Sequence, residues 1–218
     1  MNYYPVHLNL SGKKAVVAGG GPVAERKVFS LIAAGASVTV ISPSLTKGLM
    51  EMKSAGSITH RGRAYRKGDV RGAFIVIAAT DSEETNRLIA SESPGLVNVV
   101  DVPKLCNFIA PSVVKRGPFV LSISTSGASP ALSKSIRKEL QRLYGNDIAR
   151  YLGFVRKIRA RALKEIGDRK KREAFLKGLG SPKVLGLLRK RGFGPVQDEI
   201  IARLATLTGK KNRQTQQS

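Results

Sequence analysis

The sequence has 218 residues, 42% of them apolar, and 38 Lys and Arg against 15 Asp and Glu, a formal charge of +23. That length supports one substantial core with a smaller module, and the single cysteine, Cys106, excludes an intrachain disulfide or a multi-cysteine metal site. No apolar run approaches the roughly 20 residues that cross a bilayer and the N-terminal stretch lacks a secretory pattern, so a cytoplasmic protein with no membrane partner is expected.

Val6–Leu10 reads as a short lead-in strand and Ala15–Ala18 as a first buried parallel strand. Gly19-Gly20-Gly21-Pro22-Val23-Ala24 follows, then helical spacing of Val28, Leu31 and Ile32 up to Gly35, then a second strand at Val38–Ser42 ended by Pro43. Strand, glycine turn, helix and strand at these lengths form a dinucleotide-binding βαβ unit. Gly19 makes the tight turn, Gly21 lets backbone approach a pyrophosphate, and Ala24 lets the helix pack against the strand. Ser42 falls where such enzymes often carry an acid for the ribose, and a serine leaves NAD against NADP open.

Further along, a helix is expected around Leu45–Lys53, a strand at Ile58–His60, and a central buried strand at Ala73–Ala79. Ser82 caps a helix whose first turn holds Glu83 and Glu84. Val97–Val100 is the next strand, and the alternation indicates a Rossmann-like, doubly wound parallel sheet. After Pro111 the pattern changes. Phe119–Ser124 is a strand, and Ser129 and Pro130 open a helix with Leu132, Ile136, Leu140 and Leu143 on one stripe. One strand with one amphipathic helix cannot bury its own apolar face, so this module is expected to pair with a second copy. Helices are expected at 148–166, 168–177, 182–191 and 196–207, and residues 210–218 read as disordered. The expected domains are therefore 1–112 for the dinucleotide, 113–145 for dimerisation, 146–209 as a helical module, and the tail.

The charge is uneven. Residues 1–112 hold 13 basic and 8 acidic side chains, net +5, and residues 113–218 hold 25 and 7, net +18. Such a field suits a polyanionic small molecule, a nucleic acid, or nothing beyond solubility. Asp101 ends a predicted strand on the edge where open α/β sheets bind ligands, so it is either a general base or a turn cap before Pro103. Thr80 either meets a ribose or caps the next helix. Cys106 reads as a packed small residue, and His7 and His60 are isolated, so no metal site is expected. A generic short-chain dehydrogenase would need a Tyr-x-x-x-Lys pair, which the chain lacks.

Five motifs occur together in order: Gly19-Gly-Gly-Pro-Val-Ala-Glu-Arg-Lys27, Ala78-Ala-Thr-Asp81, Asn98-Val-Val-Asp101, Phe108-Ile-Ala-Pro111-Ser112 and Ser126-Gly-Ala-Ser-Pro130. The set closely resembles the precorrin-2 dehydrogenase/sirohydrochlorin ferrochelatase family, including the N-terminal half of sirohaem synthase. The resemblance implies a homodimer that oxidises precorrin-2 to sirohydrochlorin with NAD, and in some members Fe2+ as a further substrate. It implies Asp101 as the catalytic acid–base group, and dinucleotide contacts at Pro22, Val23, Pro43 and Ser44 besides Gly19, Gly21, Ala24, Ser42 and Thr80. Thr125 stands where relatives carry a regulatory serine. The substrate would be a tetrapyrrole polycarboxylate, for which Ser126, Lys134 and Arg137 are candidate contacts, though both cations equally suit a solvated helix face. The length leaves no room for a methyltransferase half, so the methylations are expected from another protein. The competing class is a nucleotide sensor with a basic nucleic-acid module, against which stand the missing recognition helix, aromatic platform and zinc motif.

Overall fold

The computed structural model describes residues 3–209, so the disorder expected for 210–218 lies outside them. The chain divides into two compact units, Met1–Ala110 and Pro111–Ser218.

In the first unit β1 (Lys14–Ala18), β2 (Ser37–Ile41), β3 (Ile58–Arg61), β4 (Ile75–Ala78) and β5 (Leu96–Val99) form one sheet in the order β3-β2-β1-β4-β5. Every pairing is parallel. Successive residues of β1 show why: Ala15 and Val17 pack with α1 (Pro22–Ala33) and α2 (Lys47–Ser54), whereas Val16 and Ala18 pack with Ile89 of α3 (Glu83–Glu92). Both faces are covered, and a continuous apolar run is the sequence form of such a strand. The chain reverses its strand order between β1 and β4, which opens a crevice at their C-terminal ends.

The expected strand at Val6–Leu10 does not form. Among the described residues the segment pairs with no strand and is exposed except at Leu10. Both edges of β1 are already occupied by β2 and β4, so a neighbouring lead-in strand has no free ladder to join.

The second unit opens with an antiparallel hairpin, β6 (Ser112–Arg116) and β7 (Phe119–Ile123), in register Arg116↔Phe119 across Gly117-Pro118. Sequence reasoning missed β6. Its signal was the Gly-Pro pair between two runs containing β-branched residues. Helix α4 (Pro130–Leu143) follows, capped by Ser129 onto the Leu132 N–H at 3.2 Å. Of its predicted stripe, Ile136 and Leu140 are half-buried, but Leu132 and Leu143 stay 52% and 43% exposed, and Ser133 is the helix's buried position.

Helices α5 (Asp147–Glu165), α6 (Arg169–Gly178), α7 (Pro182–Arg191) and α8 (Phe193–Thr208) enclose a core around Ile158, Phe175, Ile200 and Leu204. Phe119 and Tyr144 pack against this core, so the stretch 113–145 lies in one unit with the helices. Helix α8 starts three residues earlier than expected. Pro195 sits within its first turn, where a missing N–H costs no hydrogen bond. No helix of the described residues is long and apolar enough to cross a membrane.

Candidate dinucleotide site

The crevice is a cavity of about 600 Å3 whose walls come from the ends of β1, β2 and β4 and the loops beyond them. Gly19 leaves β1 at φ +118, and a Cβ there would overlap the Ala79 carbonyl. A Cβ on Gly20 would overlap the Ser44 carbonyl and press on the Ser42 side chain. Three backbone bonds fasten the turn: Gly19 N–H to Ile41 O at 2.9 Å, Thr46 N–H to Gly20 O at 3.0 Å, and Glu25 N–H to Gly21 O at 3.0 Å. A Cβ on Gly21, by contrast, would meet nothing within 4 Å. Gly21 is the N-cap of α1 and offers no side-chain acceptor to the helix's first N–H groups. Open space in front of unsatisfied donors at the positive end of a helix is the arrangement that takes a phosphate.

Gly19, Gly21, Ser42, Pro43, Ser44 and Thr80 line this cavity, whereas Pro22, Val23 and Ala24 lie outside its walls. Pro22 is the first residue of the helix, and Ala24 is fully buried against the sheet. Ala24 acts through packing. Sequence reasoning also missed Thr46, which accepts from Leu49 N–H as the cap of α2 and donates to the Glu25 carboxylate, tying the start of α1 to the start of α2.

Thr80 does not cap α3. Ser82 does, accepting from Thr85 N–H at 3.1 Å. The Thr80 hydroxyl donates to Asn86 Oδ1 at 2.8 Å, its N–H reaches the same oxygen at 3.2 Å, and Asn86 Nδ2 donates back to Thr80 O at 2.9 Å. Buried Asn86 thereby fixes the β4 loop at the cavity wall. On the β3 side Tyr65 lines the cavity while its hydroxyl donates to Glu92 at 2.8 Å. Burial, then Glu92, pushes the Tyr65 phenol above its ordinary range.

Behind Tyr65 the buried Asp69 carboxylate accepts from Arg63 at 2.7 and 2.8 Å, from Arg61 at 2.7 Å and from Arg66 N–H at 2.9 Å. The Arg63 bonds lead in holding its pKa down, to about 2. A carboxylate depressed on folding contributes stability above its unfolded pKa and loses it as pH falls towards 2. Asp69→Asn is therefore expected to cost about 2 kcal/mol at pH 7. The gap between the urea stabilities of the two proteins should shrink as pH drops from about 4 towards 2, and a gap constant with pH would refute the ionic account.

Asp101 lies in the turn after β5, exposed and in the left-handed region at φ +58, and is not among the residues lining the cavity. Ser126, in the second unit, is also left-handed at φ +53 and exposed, with Lys134 exposed and Arg137 half-buried on α4. The Thr125 hydroxyl accepts from Ser129 N–H at 3.1 Å and donates to Ser129 O at 3.1 Å, so it builds the entry to α4. Cys106 is half-buried, its thiol bonded to the backbone of Val99 and Val102. His60 Nε2 lies 2.9 Å from Ser42 O. Among the described residues, no group of three or more His, Cys, Asp or Glu is placed to hold a metal ion.

A family model for NAD(P)-binding domains matches residues 6–112, and one for the sirohaem biosynthesis protein central domain matches residues 116–143. A siroheme synthase of Nitrosococcus oceani is 36% identical over 214 residues, covering 96% of this chain and 45% of that protein. The siroheme synthase of Thioalkalivibrio sulfidiphilus is 40% identical over 168 residues, covering 74% of this chain and 34% of its own length. Over both units, then, the chain is similar to proteins of sirohaem biosynthesis. It spans less than half the length of these curated relatives. Among solved structures, one described as SirC, precorrin-2 dehydrogenase, superposes with a TM-score of 0.79 over 94% of this chain and all of that one, at 24% identity. At that identity the match establishes the fold.

The residues around the cavity fit a dinucleotide. The glycine turn leaves open space at Gly21, the start of α1 supplies donors, and Ser42 and Ser44 stand at the β2 tip, the place where folds of this kind bind a ribose.

Proposed function

We propose that this chain oxidises precorrin-2 to sirohydrochlorin with NAD. The observation that carries the reading is the phosphate-ready cavity at the β1/β4 switch point, in a chain whose relatives are named siroheme synthases and whose fold matches a precorrin-2 dehydrogenase. NAD, when bound, supplies the two-electron acceptor. Gly21 and the start of α1 hold its pyrophosphate, and Ser42 and Ser44 hold a ribose. The oxidation removes a hydride and a proton from the macrocycle as a new double bond forms. Asp101, an exposed carboxylate one strand beyond Thr80, takes the proton as general base. The +18 carried by residues 113–218 suits a polycarboxylate substrate, with Ser126, Lys134 and Arg137 as its proposed contacts.

The protein acts as a homodimer in this reading, a second copy covering Leu132 and Leu143 of α4 together with Val113 of β6, which is 41% exposed. Leu132→Glu is expected to halve the mass measured by light scattering, and an unchanged dimer would move the interface elsewhere.

The activity is tested by incubating the protein with enzymatically made precorrin-2 and NAD and following reduced nicotinamide, with NADP in parallel. Reduction that depends on precorrin-2 supports the reading, and none with either nucleotide ends it. Iron insertion is a separate activity, decided by sirohydrochlorin with Fe2+ measured against the uncatalysed rate.

A further inference from the structure

Among the described residues no Lys, Arg or His lines the cofactor cavity, although the chain carries 38 Lys and Arg, and Asp81 adds a carboxylate to its wall. Two arginines nevertheless stand just behind that wall at the tip of β2. Arg61 ends β3 in register with Ile41, and its carbonyl accepts from Ser42 N–H at 3.2 Å. Beside it, His60 Nε2 lies 2.9 Å from Ser42 O. Arg63 Nη1 donates at 2.9 Å to the carbonyl of Ala64, a residue of the wall itself. Paired strands run about 4.8 Å apart, less than the length of an arginine side chain, so the Arg61 cation starts within reach of the β2 tip.

Neither guanidinium lines the cavity. Arg61 Nη1 donates to Asp69 Oδ1 at 2.7 Å, and Arg63 donates to both carboxylate oxygens, at 2.7 and 2.8 Å. The Asp69 side chain is 6% exposed, against 44% and 32% for those of Arg61 and Arg63. Its carboxylate therefore depends on the two guanidiniums, whereas they would be free to turn elsewhere without it. NAD and NADP differ by a phosphate on the ribose 2′ oxygen, which belongs where Ser42 and Ser44 stand, and folds of this kind accept that phosphate with a nearby arginine.

We infer that Asp69 sets the nucleotide preference: by holding the guanidiniums of Arg61 and Arg63 it denies the β2 tip the cations that a 2′-phosphate needs, so the cavity takes NAD over NADP. The inference rests on the reading of the cavity as a dinucleotide site. Asp69 is a positioning residue, acting through the arginines without touching the nucleotide. A ribose hydroxyl needs only a neutral partner such as a serine hydroxyl. A dianionic phosphate in the same place would shed water against a wall that returns no positive charge. Ser42 carries no charge, and the deciding charges sit on the neighbouring strand and the loop after it.

The test is calorimetric titration of the full chain with NAD and with NADP near neutral pH, alongside thermal melts. The unmodified chain should bind NAD about tenfold or more tightly than NADP. Asp69→Asn keeps an oxygen for the Arg66 N–H, which Asp69 accepts at 2.9 Å, while giving up the charge. It should tighten NADP binding about tenfold, the effect of one charge-assisted contact, with NAD affinity unchanged within about twofold. Adding Arg61→Ala and Arg63→Ala to that variant should cancel the gain. In the otherwise unmodified chain Arg61→Ala should change neither affinity, which decides the matter even where Asp69→Asn folds poorly. The inference is overturned if the unmodified chain takes both nucleotides equally or if Arg61→Ala weakens NADP binding. It is equally overturned if folded Asp69→Asn leaves the ratio of affinities where it was, or gains NADP without the arginines. A chain that binds neither nucleotide overturns the dinucleotide reading together with this inference. One that binds NAD and keeps the same preference in Asp69→Asn overturns the inference alone.

Discussion

If Asp101 is the general base of the proposed precorrin-2 oxidation, Asp101→Asn is expected to lower kcat by roughly a hundred- to ten-thousandfold, the usual contribution of a positioned base. NAD affinity should hold, because Asp101 does not line the cavity in which the dinucleotide is placed. Asparagine is the informative replacement. It tolerates the left-handed φ of +58 nearly as well as aspartate, so the turn survives while the base is lost. Alanine at the same φ adds a backbone penalty on the order of 1 kcal/mol, which blurs a chemical effect with a structural one. Stopped turnover with intact calorimetric NAD binding supports the assignment. Turnover at the unmodified rate removes Asp101 from the mechanism.

The three glycines after β1 should separate folding from cofactor binding. Gly19→Ala places a methyl on the Ala79 carbonyl at φ +118, and Gly20→Ala places one on the Ser44 carbonyl. Neither obstacle is a side chain that can swing away. Each substitution is expected to destabilise the first unit by about 3 kcal/mol and to weaken NAD binding with it. Gly21→Ala differs in kind, since its methyl enters empty space at an ordinary φ of −83. The melting temperature should stay within a degree or two of the unmodified protein while NAD affinity falls about tenfold or more, because the methyl occupies the room a phosphate needs. Equal losses of stability in all three variants would show that Gly21 serves the turn and not the ligand.

Much of this was legible in the sequence because parallel strands covered on both faces write themselves as apolar runs. The stretch at Ile75–Ala78 and the Gly19–Ala24 turn left little freedom of interpretation. Two failures share a physical origin: a strand is a property of its partner. Val6–Leu10 has strand-like composition but no open edge beside it, whereas Ser112–Arg116 looks unremarkable until Gly117-Pro118 folds it onto β7. The site shows the same division. Gly19, Gly21 and Ser42 could be read from chain position, and Pro43 and Ser44 from the family resemblance. Thr46, Tyr65 and Asn86 carried no local signal, because their roles depend on Glu25, Glu92 and Thr80, which lie 21, 27 and 6 residues away.

Every residue lining the cofactor cavity falls between Gly19 and Thr85, and the last strand of its sheet closes at Val99. During synthesis, then, all the residues that wall this crevice are made before the strongly cationic half is translated. Ligand that binds the folded form alone draws the equilibrium towards it, and domains fold as units from the N-terminus. A dinucleotide bound there would therefore favour the folded first unit before the cationic half is complete.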